Sequence, residues 1–162
     1  MDAEISDLLR IISEEIKIYR NLIENGRRKT ALLIQGRVDA LLESNKTEEA
    51  LSIKLRNLEN EMIRLCRALS IVFRIPHEEF TLLRLADNLE PPLAQQIRSQ
   101  TTLFGNIVEQ LKTISRRNMR LIEKSIQYSK GLLDLVSCAT GSYKQTGLFK
   151  PSSVQPTFSQ SA

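Results

Sequence analysis

His77 is the only histidine in the chain, so any general base or metal ligand of that type has to be this residue. It follows Pro76 in a stretch that reads as a loop, where a histidine more often caps a turn or faces water. No nucleophile or second ligand accompanies it at a useful spacing. Three pairs of adjacent carboxylates, Glu14-Glu15, Glu48-Glu49 and Glu78-Glu79, are the next candidates for acid–base work. Sequence neighbours on a helix point to different faces, so these pairs read as surface charges. Cys66 and Cys138 lack metal-ligand spacing and read as reduced thiols. There is no Gly-rich phosphate cradle and no Walker-type lysine. The expectation is a protein that is not an enzyme, with no catalytic residues, no metal and no cofactor.

Arg116, Arg117, Arg120 and Lys124 form the densest basic cluster, with Arg27-Arg28-Lys29 a second one. On a helix, positions 116, 120 and 124 share a face that could grip phosphates. Glu109 and Glu123 dilute the patch and no aromatic platform accompanies it, so nucleic acid is a weaker reading than a solvated helix face. The net charge of +4 is mild and agrees with that ranking.

The residues that dominate the chain are apolar and periodic. Leu93, Ile97, Phe104, Ile107, Leu111, Ile114, Leu121, Tyr128, Leu132 and Leu135 recur at steps of four and three, which places them on one seam of a single helix. Gln100, Asn118 and Ser125 interrupt that seam. Ile5, Leu9, Ile12, Ile16, Tyr19 and Ile23 repeat the pattern. So do Leu51, Leu55, Leu58, Met62, Leu65, Leu69 and Val72. These series predict helices over about 4–35, 39–74 and 93–139. Asp39 is a candidate N-cap and Pro76 the end of the second helix; Gly26 offers one stop for the first helix and Gly36 another, with the helical run over residues 30–34 favouring an end near Gly36. The short turn at Gly36 makes the first two helices antiparallel neighbours. Residues 75–92 form a connector with a short amphipathic piece carrying Phe80, Leu83 and Leu85, and Pro91-Pro92 opens the long helix.

Length and composition suit one helical domain, 1–139, followed by a flexible tail, 140–162, rich in Ser, Gly and Pro but dotted with Tyr143, Leu148, Phe149, Val154 and Phe158. Such a tail suits ordering on a partner as well as it suits a frayed terminus. No apolar run approaches the roughly 18 residues of a membrane span. The opening Met-Asp-Ala-Glu-Ile has neither the basic end nor the apolar block of a secretory signal, so the expected location is the cytoplasm, without membrane insertion. The fold class expected is all-α: an antiparallel bundle or coiled coil of three long helices with a flexible tail. The third helix exceeds the second by roughly 15 Å at 1.5 Å per residue. Its polar seam positions from Asn118 onward mark a stretch kept available, although a buried Asn also serves to fix register.

Residues 31–42 (Ala31-Leu32-Leu33-Ile34-Gln35-Gly36-Arg37-Val38-Asp39-Ala40-Leu41-Leu42) with the heptads up to Leu65-Cys66-Arg67-Ala68-Leu69 resemble the FlgN-type flagellar export chaperones. So do the run from Asn118 to Tyr128 and the terminal Tyr143-Lys144-Gln145-Thr146-Gly147. The resemblance spans about residues 5–149. It departs from the family pattern at Gly26 and in the tail beyond Gly147. It implies a bacterial cytosolic chaperone that holds the terminal helical segment of flagellar hook-associated proteins, prevents their premature assembly and delivers them to the type III export apparatus. By that resemblance Tyr143 docks on the export-gate protein. The seam and the resemblance together place the client on Leu121, Ile122, Ser125, Tyr128, Leu132, Leu135 and Val136. A structural coiled-coil adaptor or homodimer is the alternative, in which the same surface meets its own copy.

Overall fold

The computed structural model describes residues 2–141, and the side chains of 3–138. Of the described residues 91 % are helical and none lies in a strand, so the chain is all-α. Four α-helices follow in order: α1 Asp2–Gln35, α2 Val38–Val72, the short α3 Leu82–Ala86, and α4 Pro91–Gly141. One turn of 3-10 helix, His77–Glu79, precedes α3. The chain divides into two compact units, Met1–Ile122 and Glu123–Ala162. Tyr143 and the expected tail beyond Gly141 lie outside the described residues.

Both ends of the α1–α2–connector path are closed by the same backbone device. Gly36 has φ 66°, its N–H donates to Leu33 O, and the Arg37 N–H reaches back to Leu32 O. This is the Schellman arrangement that satisfies the last carbonyls of a helix. It leaves two residues, Gly36 and Arg37, between α1 and α2. Asp39 is therefore not the N-cap the sequence suggests. Arg37 holds that position without a side-chain bond, and Asp39 stands in the first turn, where a carboxylate still favours the helix dipole. At the far end Arg74 takes the same left-handed role, φ 53°, with Arg74 N–H to Ile71 O and Ile75 N–H to Ser70 O. A side chain in that conformation costs about 1 kcal/mol.

Within the first unit α1 is the central helix, with two buried faces. Leu8, Ile11, Glu15, Ile18, Leu22 and Asn25 form one row, and they face α2. Arg10 meets Glu61 and Asn25 meets Ser44, so rising numbers on α1 pair with falling numbers on α2 and the two run antiparallel. Ile5, Ile12, Ile16, Tyr19, Ile23, Gly26 and Thr30 form the other face, toward α4. There Tyr19 packs edge-on to Phe104, Gly26 meets Ile114 and Thr30 meets Asn118, so α1 and α4 run parallel. The connector closes the core. Thr81 caps α3 by accepting from the Arg84 N–H, which turns Leu82, Leu85 and Ala86 inward and leaves Leu83 exposed. Ile5, Leu8, Leu69, Leu85 and Ile97 are the largest apolar side chains wholly removed from water, a layer drawn from four helices.

Candidate interaction surface

The polar residues that interrupt the α4 seam have three different fates. Gln100 is half-buried, and its side-chain oxygen has no hydrogen-bond partner among the described residues. Asn118 is buried: its Nδ2 donates to Gly26 O at 2.9 Å, and its Oδ1 accepts from the Thr30 hydroxyl at 2.6 Å. The Asn118 hydrogen bonds sit beside the Gly26–Ile114 approach, where a Cβ on residue 26 would stand 2.8 Å from Ile114 Cγ2. Glycine is required there so that the α1 backbone can come close enough for Asn118 to reach its carbonyl. Asn118 thus fixes the register of α4 on α1; the expectation that it begins an uncovered stretch is corrected. Ser125 belongs to the second unit and is exposed.

A second buried polar cluster ties α1 to α2. Asn25 Nδ2 donates to Ser44 O at 3.0 Å, the Ser44 hydroxyl returns a bond to Asn25 Oδ1 at 3.1 Å, and Lys29 pairs with Glu48 at 2.7 Å. Further along that interface lies Glu15, which is buried and therefore not the surface charge that its pairing with Glu14 suggested. Burial and the nearby Glu59 carboxylate push it up to about 7. Burial, then the charges of Glu59 and Glu15, raises the Tyr19 phenol, and burial with Glu15 raises the Cys66 thiol, which opposes the reactive thiolate. The other carboxylates behave as read: Glu14 meets Lys17 at 3.2 Å and Glu79 meets Arg84 at 2.5 Å. His77 is exposed in its 3-10 turn. Among the described residues there is no group of His, Cys, Asp or Glu that could hold a metal ion, and no helix long and apolar enough to cross a membrane.

In the first unit Leu121 is half-buried and Ile122 exposed. In the second, every described side chain from 123 to 138 is exposed. Tyr128 is 70 % accessible, Leu132 45 %, Leu135 68 % and Val136 59 %. Two further residues, Ile126 and Leu133, are as open and were not in the expected set. At roughly 100° per residue, Ile126, Tyr128, Leu132, Leu133, Leu135 and Val136 share one half of the helix with Ser125 and Ser129. Glu123, Lys124, Gln127, Lys130 and Asp134 occupy the other half. The Ser129 hydroxyl donates to Ser125 O at 2.9 Å, so this serine is satisfied along its own helix and the half remains apolar in character. A search for one seam alone misses Ile126 and Leu133, because they lie one position beyond the four-three series. The signal for them is a second series in adjacent register, Met119, Ile122, Ile126, Leu133 and Val136. This half of the helix therefore carries six large exposed hydrophobics, a larger apolar surface than a solvated helix face needs.

The family model described as FlgN protein matches residues 1–149. The chain belongs to the FlgN family. The family is one of flagellar export chaperones that bind flagellar proteins, and it is not known as an enzyme family. No curated protein and no solved structure matches the chain.

Proposed function

We propose that this FlgN-family chain binds the terminal helical segment of flagellar hook-associated, hook–filament junction proteins, keeps them from assembling early and delivers them to the type III export apparatus from the cytoplasm. The observation that supports this reading is the exposed apolar half of residues 125–136. Ser125, Tyr128, Leu132, Leu135 and Val136 are the contact residues, joined by Ile126 and Leu133; Leu121 and Ile122 precede them in α4. A client helix would lay its own apolar stripe on these side chains, an interaction that needs no chemistry and no cofactor. Isothermal titration with the C-terminal segment of a hook-associated protein tests the reading. Leu132→Asp with Leu135→Asp should weaken binding by at least about tenfold, since two apolar contacts are replaced by desolvated charges. Unchanged affinity in that variant would place the client elsewhere. Sedimentation over a concentration range tests the homodimer alternative, because a tight dimer through the same residues would leave no client site.

Tyr143 is proposed to dock on the export-gate protein. This rests on the family resemblance of the segment Tyr143-Lys144-Gln145-Thr146-Gly147. Tyr143→Ala should leave client affinity intact and weaken capture by the gate; equal loss of both, or loss of neither, would overturn the role.

A further inference from the structure

Three exposed arginines lie at and just beyond one groove of the first unit. A groove of about 580 Å³ between α1 and α4 is lined by Arg27, Asn106, Glu109, Gln110, Thr113 and Ile114. Ile114 forms an apolar floor where Gly26 lets the helices close up. Asn106, Gln110 and Thr113 stand at steps of four and three on α4, and the same row continues through Arg117 and Arg120. Arg27 comes from α1, across the groove. All three arginines are exposed, and none has a carboxylate within ion-pair distance among the described residues. Of the neighbouring cations, Lys112 pairs with Glu109 at 2.6 Å and Lys29 with Glu48 at 2.7 Å, while Arg28 and Arg116 are exposed beside the three.

We propose that this groove is a second protein-binding surface, which takes an acidic helical peptide segment whose carboxylates meet Arg27, Arg117 and Arg120. Guanidinium groups grip carboxylates through two parallel hydrogen bonds, and the amide and hydroxyl side chains of the row supply the donors between them. Carboxylates spaced three and four apart on a partner helix match the spacing of Thr113, Arg117 and Arg120 on α4. A nucleic acid fits less well. No aromatic side chain lines the groove on which a base could stack. An anionic membrane would use the same cations without regard to carboxylate spacing, and the vesicle arm of the test below distinguishes it. The surface lies wholly within Met1–Ile122 and does not depend on the client site proposed above.

The test is fluorescence anisotropy of the full chain with a labelled helical peptide of Ala, Gln and Glu, its Glu residues spaced alternately three and four. The control peptide carries Gln at every Glu. The acidic peptide should bind at least about tenfold tighter than the control, and raising salt from about 50 to about 300 mM should weaken it severalfold, as expected for partly exposed charges. Arg117→Glu with Arg120→Glu, and separately Arg27→Glu, should each reduce its affinity by at least about fivefold. The milder Arg117→Gln with Arg120→Gln should act in the same direction, with the thermal unfolding midpoint as the check that the helices remain paired. The proposal is overturned if the acidic peptide does not bind, if the control binds equally, or if the arginine variants bind as the parent does. It is also overturned if a single-stranded oligonucleotide or a phosphatidylserine vesicle binds more tightly than the peptide.

Discussion

Residues 91–122 and 123–138 of α4 carry the same four-three apolar period and end up in opposite environments. In the first stretch Ile97, Ile107 and Asn118 are buried, and Leu93, Phe104, Leu111 and Ile114 pack against the core. In the second, Tyr128, Leu132 and Leu135 continue the period and are exposed. The difference is not in the seam itself. The first stretch has α1 beside it, held at Tyr19–Phe104, Gly26–Ile114 and Thr30–Asn118. A hydrophobic seam states that a helix needs a partner; whether the partner is in the same chain is a separate fact.

The largest effect is expected at Gly26, the one described glycine whose added Cβ would meet a neighbour within 4 Å. Gly26→Val drives a side chain into Ile114 and should lower stability by about 2–3 kcal/mol, with partial recovery when Ile114→Ala is added. Chemical denaturation of the single and double variants measures both. The polar seam positions come next. Asn118→Leu removes the bonds to Gly26 O and Thr30 and should cost about 1–3 kcal/mol, whereas Ser125→Leu should change unfolding by less than about 0.5 kcal/mol. If the two leucine variants melted alike, the register role of Asn118 would be wrong.

On the α2 side of α1, Glu15 is a buried carboxyl. Its carboxyl titrates near 7 in the folded chain against an ordinary 4.5, so the folded state holds the proton more tightly than the unfolded chain does. The stabilisation from this group is fully present below about 4.5 and is lost as pH rises through about 7. Glu15→Gln should therefore gain about 1–2 kcal/mol over the parent above pH 7 and flatten the pH dependence of the melting midpoint. A variant that lost stability at high pH would show that the charged carboxylate is held by a favourable contact. A small stabilising effect is expected at Gly131, whose added Cβ meets nothing within 4 Å. Gly131→Ala should stabilise by up to about 1 kcal/mol through helix propensity alone, seen as a small rise in helix content on circular dichroism.

The helical class and the existence of three long helices were legible because each carries many repeats of one period. Gly36 was legible only as one of two candidate stops, and the structure chooses it over Gly26: Gly36 takes the left-handed conformation that lets the Arg37 N–H return to Leu32 O. The second buried face of α1 was not. Its row, Leu8, Ile11, Glu15, Ile18, Leu22 and Asn25, contains a carboxylate and an amide, and a search for apolar periodicity passes over it. Asn118 was legible as an exception but ambiguous in meaning, because an Asn in a seam is compatible with register fixing and with exposure. Ile126 and Leu133 were missed for the opposite reason: they are apolar but sit one position away from the series being followed. The connector shows the same limit on a smaller scale. Thr81 caps α3, so Leu82 turns in and Leu83 turns out, a choice set by one hydrogen bond to the Arg84 N–H.

By itself the sequence determined that this chain is helical, that its helices are amphipathic, and that it resembles the FlgN chaperones, since backbone periodicity and turn residues act locally and are written in consecutive positions. Only the tertiary structure decided which apolar residues are core and which are surface. That outcome depends on α1 and α4 meeting at Gly26 and Ile114, residues far apart in the chain, and on Asn118 and Thr30 completing each other's hydrogen bonds. The seam of α4 was visible from the beginning. Its division into a packed stretch and an open one is a property of the partner helix, and a period in one segment cannot encode where its partner lies.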